Sequence, residues 1–200
     1  MGINPILKGH RLIFSHPFPL SYVILPRTTH GRRTASMTPN ESRAEIERLH
    51  GAGFAWAMAC CGRDRERAED VLQTSYLKIL DGRARFEGRS TFKTFLFGVI
   101  RRTASEERRR TALADLFHRR AEPAAAAVET DAASVDRVTL RRALAGLPRR
   151  QREVLELVFA FGMTLRESAE ALSISPGSAS VHYDRGKKKL AALLERGRRA

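Results

Sequence analysis

An all-α protein is the fold class this sequence predicts: two small helical domains joined by a flexible linker, the second a helix-turn-helix, winged-helix-like four-helix domain. Three observations predict it. From Pro39 onward, apolar residues recur at three- and four-residue steps, the period of one helix face, and no alternating strand pattern interrupts them. Residues 121–134, AEPAAAAVETDAAS, are alanine-rich with few large apolar groups, so they bury little surface and read as a linker. Finally, Thr164–Leu194 reads as a short capped helix, a tight turn and a longer helix with a polar, basic outer face.

Composition narrows the function classes. A net charge of +14 and a pI near 11.0 point to a polyanionic partner. The apolar share, 42%, supports small cores in a chain of this size. No apolar run is long enough to span a bilayer, so no membrane insertion is expected. Cys60 and Cys61 are adjacent and form no CxxC, which supports neither a disulfide framework nor a zinc site. They read as small hydrophobes in a reducing cytoplasm.

The elements follow in order. Residues 1–36 hold no Asp or Glu and half of the prolines, and they lack the layout of a signal peptide. They read as a disordered arm, or as sequence upstream of a true start at Met37, and the second reading is preferred. The first domain is expected over 37–120. Its first helix runs from Pro39, with Ile46, Leu49, Phe54, Trp56 and Cys60 inward, to a stop near Gly62; Gly51 and Gly53 are expected to interrupt it. Asp64 caps a second helix whose inward face is Ala68, Val71, Leu72, Ser75, Ile79 and Leu80. A loop around Phe86-Glu87-Gly88 follows. Ser90 is expected to cap a long third helix with Phe92, Phe95, Leu96, Val99 and Ile100 inward, continuing through an arginine-rich stretch to about Arg120.

The second domain is expected over 135–200. A helix from Val135 breaks at Leu147-Pro148, and the next carries Val154, Leu155, Leu157, Val158 and Phe161 on its apolar face. Thr164 and Glu167 then form a capping box. Ser175 offers a second N-cap, with Pro176 at the first helical position, where its missing N–H costs nothing. Ala179, Tyr183, Gly186 and Leu190 share the inward face of the last helix. Ser180, His182, Arg185, Lys188 and Lys189 lie on the other, placing that helix as the one that enters a major groove.

Three stretches resemble the extracytoplasmic-function sigma factors of bacterial RNA polymerase: AEDVLQTSYLKIL (68–80), RFEGRSTFKTFLFGVIRRTA (85–104) and LPRRQREVLELVFAFGMTLRESAEALSISPGSASVHYDRGKKKL (147–190). They stand in the family's order and cover most of residues 44–195. The resemblance implies a subunit that binds core polymerase and directs promoter-specific initiation. It assigns Asp70, Gln73 and Leu77 to docking on the clamp of the largest subunit. It assigns Arg85, Phe86, Gly88, Arg89, Lys93, Arg101 and Arg102 to the melted −10 element. Phe86 and Phe92 would wall the pocket for an unstacked base, although Phe92 reads better as core. It assigns Ser178, Ser180, Val181, His182 and Arg185 to the −35 element, with Lys188 and Lys189 on phosphates; Arg185 is the expected base reader. It also implies an anti-sigma partner and cytoplasmic location. Three departures stand out. Ser180, His182 and Asp184 make the outer face less basic than is usual. Thr74 replaces an acidic residue, and Arg102 replaces an asparagine.

Two other classes compete. A response-regulator output protein shares the helix-turn-helix, but no strand–helix alternation precedes it here, and 68–104 favours the sigma-factor reading. A nucleic-acid enzyme needs a carboxylate cluster or nucleophile–base pair. Asp64, Glu66, Glu69 and Asp70 are spaced as a solvated helix face instead. No catalytic residue, cofactor or metal is expected.

Overall fold

The computed structural model describes residues 37–118 and 135–199; the arm at 1–36 and the linker at 121–134 fall outside this range. Seven helices occur in the described residues: α1 (Pro39–Cys60), α2 (Arg65–Leu80), α3 (Phe92–His118), α4 (Val135–Ala145), α5 (Arg149–Phe159), α6 (Leu165–Leu172) and α7 (Pro176–Arg199). The described residues contain no strand, so both halves of the molecule are built from helices and turns.

Local chemistry sets most boundaries. Thr38 and Glu41 form a capping box at α1 around Pro39, a signal present in the sequence beside the expected start. The Asp64 carboxylate accepts the Arg67 amide and starts α2, as the sequence predicts. The expected cap at Ser90 shifts by one residue. The Thr91 hydroxyl accepts the Thr94 amide at 3.1 Å, whereas Ser90 Oγ meets only the neighbouring Thr91 carbonyl. The expected break at Gly51 and Gly53 does not occur, and α1 runs through both. Gly53 is small for packing reasons: a Cβ there would lie 3.3 Å from the Tyr76 hydroxyl and 3.5 Å from Ile100 Cδ1, where α2 and α3 close on α1.

Helices α1, α2 and α3 enclose Leu49, Trp56, Val71, Leu72, Leu96, Phe97 and Ile100, all nearly inaccessible. Each such side chain contributes about 1.5–3 kcal/mol of burial. The Trp56 indole N–H donates to the Phe97 carbonyl at 3.0 Å, which satisfies the one polar atom of a fully buried ring. Lys78 bridges α2 to α3 through Thr103 and Glu106.

This core does not stop at the third helix. Val154 and Leu157 of α5, Met163, and Ala171 and Leu172 of α6 belong to the same apolar cluster, with α3 lying against α6. The second half adds its own contacts between α5 and α7. There Gly186 is buried, and a Cβ on it would lie 3.1 Å from Leu155 Cδ1 and 3.3 Å from Gln151 Cβ. Gly186→Leu is therefore expected to overpack this seam and lower stability by about 1–3 kcal/mol. Gly177→Ala faces open space in the first turn of α7 and should change stability by less than about 1 kcal/mol, with stabilisation the expected sign. Thermal melts followed by far-ultraviolet circular dichroism separate the two.

Candidate nucleic-acid interface

The second half presents a complete helix-turn-helix. The Thr164 hydroxyl accepts the Glu167 amide, and the Glu167 carboxylate accepts the Thr164 amide at 2.8 Å, which fixes the start of α6. Ser173 ends it in the left-handed region at φ 52, with its amide and that of Ile174 bonded back to Glu170 and Ala169. The Ser175 hydroxyl then accepts the Ser178 amide at 3.1 Å and opens α7. On α7, Ala179 and Gly186 are buried, and Tyr183 is half-buried against Phe159. Ser178, Val181, Arg185, Lys188 and Lys189 are exposed, while Ser180 and His182 are partly covered. Val181 is the apolar member of this face, at 45% exposure, which suits it to a thymine methyl. Lys187 lies over the Tyr183 ring at 5.0 Å.

The loop before α3 is also built. The Ala84 amide bonds the Lys78 carbonyl at 2.7 Å, and Gly88 takes a φ of 69, a conformation that favours glycine. Phe86 meets Phe92 and Phe95, each at 5.4 Å between ring centroids. Phe92 is buried, so it serves the core as expected, and Phe86 remains the half-open ring of the loop. Arg85, Arg89 and Arg102 are exposed; Arg89 is paired with Glu87 at 2.7 Å. On α2, Asp70, Gln73 and Leu77 all face solvent along one side, with Leu77 at 48% exposure.

Lys93 and Arg101 are placed differently from the rest of their predicted group. They point into the seam between the two halves. Lys93 Nζ donates to the Phe161 carbonyl at 2.5 Å, and Arg101 Nε meets Glu153 Oε2 at 3.4 Å. Burial holds the Lys93 ammonium below its usual range, and does the same to Arg101 against the opposing pull of Glu153. Glu153 also takes Arg149 at 2.7 Å and Arg150 at 3.3 Å. The Phe161 ring sits edge-on to Trp56 and Phe97, at 5.8 and 5.0 Å.

Sequence reasoning assigned Phe161 to ordinary core and gave Glu153 no role. The available signal was a pair of acids, Glu153 and Glu156, among the apolar positions of α5, with Arg149 and Arg150 one turn before. Cys60 is buried, and burial raises its thiol well above its ordinary value; both cysteines are free. Among the described residues, no three His, Cys, Asp or Glu side chains gather as a metal site.

Residues 46–113 match Sigma-70 region 2, and residues 137–190 match Sigma-70 region 4. The ECF RNA polymerase sigma factor ShbA of Streptomyces griseus is 31% identical over 144 residues, 67% of this chain and 75% of its own length. The RNA polymerase sigma factor CarQ of Myxococcus xanthus is 32% identical over 135 residues, 66% of this chain and 77% of its own. The chain belongs to the extracytoplasmic-function sigma factors. The sigma factor RpoE of Bartonella quintana, solved in complex with the anti-sigma factor NepR, has the same fold: TM-score 0.63 at 24% identity, over 76% of this chain and 96% of that one. CnrH, solved with the cytosolic domain of CnrY, gives a TM-score of 0.57 at 22% identity, over 79% and 90%.

As a sigma factor, the protein directs promoter-specific transcription initiation, and the reading as a regulator outside the polymerase is not favoured. Sigma factors are regulatory subunits. No helix among the described residues is long and apolar enough to cross a membrane.

Near the seam, burial pushes the Glu156 carboxyl up to about 7, opposed by Arg63 and Arg152. A carboxyl raised in the folded state keeps its proton longer there than in the unfolded chain. Its ionisation therefore costs stability progressively from about pH 4.5 to about 7, and costs nothing below that window. Glu156→Gln should accordingly raise the melting temperature at pH 8, by a stability gain on the order of 2 kcal/mol, and leave it little changed at pH 4. Melts across that range check the sign; an equal shift at both ends contradicts it.

Proposed function

We propose that this sigma factor docks on the clamp of core RNA polymerase through Asp70, Gln73 and Leu77. Residues 37–120 act as the −10 domain, 121–134 as the linker and 135–200 as the −35 domain. Arg85, Phe86, Gly88, Arg89, Lys93, Arg101 and Arg102 hold the melted −10 strand. Phe86 stacks on the extracted base, and the arginines and lysine take phosphates. Ser178, Ser180, Val181, His182 and Arg185 meet the −35 element, with Lys188 and Lys189 on the backbone. The protein works in the cytoplasm, carries no chemistry of its own and leaves catalysis to the polymerase. Because two sigma factors of the same fold were solved with anti-sigma proteins, we infer that this chain also takes such a partner.

The observation that carries this reading is the exposed face of α7, capped at Ser175 and lined by Val181, Arg185, Lys188 and Lys189. Leu77 supports the docking assignment: a large apolar residue left open beside Asp70 and Gln73 suits a partner surface.

The test is run-off transcription with purified core polymerase on promoters selected from a genomic library. A discrete transcript that depends on the chain is expected, and no promoter-specific product would overturn the reading. Arg185→Ala should cost about 1–3 kcal/mol at one base pair of the selected −35 site and relax preference there. Lys188→Ala should weaken all sequences alike and reduce the salt slope by about one. Leu77→Asp should abolish core binding without lowering the melting temperature.

A further inference from the structure

Two of the cations assigned to the melted strand are already occupied. Arg101 reaches across to Glu153, and its side chain is only 12% exposed. Lys93 is spent on the Phe161 carbonyl and lies 5.7 Å over the Phe97 ring. Neither nitrogen can meet a phosphate while these contacts stand. The seam around them is well built. Phe161 seats on the stacked pair of Trp56 and Phe97, and a Cβ on Gly98 of α3 would lie 3.6 Å from the Ala171 carbonyl oxygen of α6.

The same geometry is in tension with promoter reading. Elements about two helical turns apart are separated by roughly 70 Å of duplex. Halves that share an apolar core, with α3 against the first helix of the helix-turn-helix, do not span that distance.

We propose that the two halves of the chain form an intramolecular latch, in which Glu153 and Phe161 of the second half compete with single-stranded DNA for Arg101, Lys93 and the face around Trp56. The inference rests on the proposed −10 role of Lys93 and Arg101. The latch is poised to open because its charge is unbalanced. One buried carboxylate, 4% exposed, faces Arg101, Arg149 and Arg150, and Arg149 Nη2 is buried without a hydrogen-bond partner. A phosphate backbone offers these guanidiniums more negative charge than Glu153 does. Removing Glu153 leaves three like charges facing one another in the seam, which drives the halves apart.

Trp56 is the single tryptophan of the chain and is fully buried, so its emission reports the seam directly. The experiment uses the full chain, a fluorescein-labelled mixed-sequence single-stranded oligodeoxynucleotide, and three variants. Glu153→Gln breaks the ionic arm. Phe161→Ala removes the ring with no change of charge. Glu195→Gln matches the charge change of Glu153→Gln at an exposed position of α7, outside the seam. Far-ultraviolet circular dichroism confirms that each retains its helices.

The latch predicts that Glu153→Gln and Phe161→Ala both show red-shifted, acrylamide-accessible Trp56 emission. It also predicts that both bind the oligonucleotide at least about fivefold tighter than the parent, as expected when the competent fraction rises. Glu195→Gln should stay near the parent in both measurements. If Phe161→Ala binds no tighter, or Glu195→Gln gains as much as Glu153→Gln, the latch is wrong and the effect is structural or simple charge. Should Phe161→Ala misfold, Gly98→Leu, which wedges α3 from α6, takes its place with the same expectation. None of these readouts needs polymerase, so a failed transcription assay and a failed latch are told apart.

Discussion

Glu153 is the constraint on which the arrangement of the two halves depends. A carboxylate buried in the middle of an apolar helix is costly unless its charge is met. Here it is met three times, by Arg149 and Arg150 from its own helix and by Arg101 from α3. The local pair would have been enough to solvate it. The third partner turns a local cap into a tie between halves, and it draws Arg101 away from solvent. Beside it, Phe161 supplies the non-polar half of the same junction by covering the Trp56–Phe97 stack. Polar and apolar contacts thus converge on the one face of α3 that the sigma-factor reading assigns to melted DNA.

The three surfaces of the sigma factor differ in how finished they are. The α7 face is ready as it stands: its cap is made, its inward residues are small, and its charged side chains are exposed. The α2 stripe of Asp70, Gln73 and Leu77 is likewise open. The −10 surface is divided. Phe86, Gly88 and the exposed arginines of the loop are accessible, but Lys93 and Arg101 are not. A division of this kind gives the chain a default state in which its least specific contacts, the phosphate-binding cations, are withheld. For a protein of net charge +14, masking such cations limits adventitious binding to nucleic acid.

Much of this was legible in the sequence, and the reasons are local. Capping boxes, proline at N1 and the three-and-four periodicity act within one turn of chain, so α2, α6 and α7 begin where Asp64, Thr164 and Ser175 place them. The inward residues of α7 were readable because burial there follows helix geometry. The misses arise where the deciding contact is distant. Gly51 and Gly53 look like helix breakers by propensity, yet α1 continues because tertiary packing outweighs about 1 kcal/mol per glycine. Ser90 and Thr91 are equivalent as caps in sequence, and only the chain path out of the Gly88 turn selects the second. Lys93, Arg101 and Phe161 look like phosphate ligands and core. Their meeting across 52 and 68 residues leaves no periodic trace.

The central claim is that one sigma factor uses the same face of α3 first to hold its own second half and then to hold DNA. It is tested most directly by the distance between fluorophores on α2 at Glu66 and on α7 at Glu195, both exposed positions away from the assigned contacts. Energy transfer would be measured in the free chain and again in the complex with core polymerase and promoter DNA. The account predicts high transfer in the free chain and its collapse in the complex. Equal transfer in both states would contradict it.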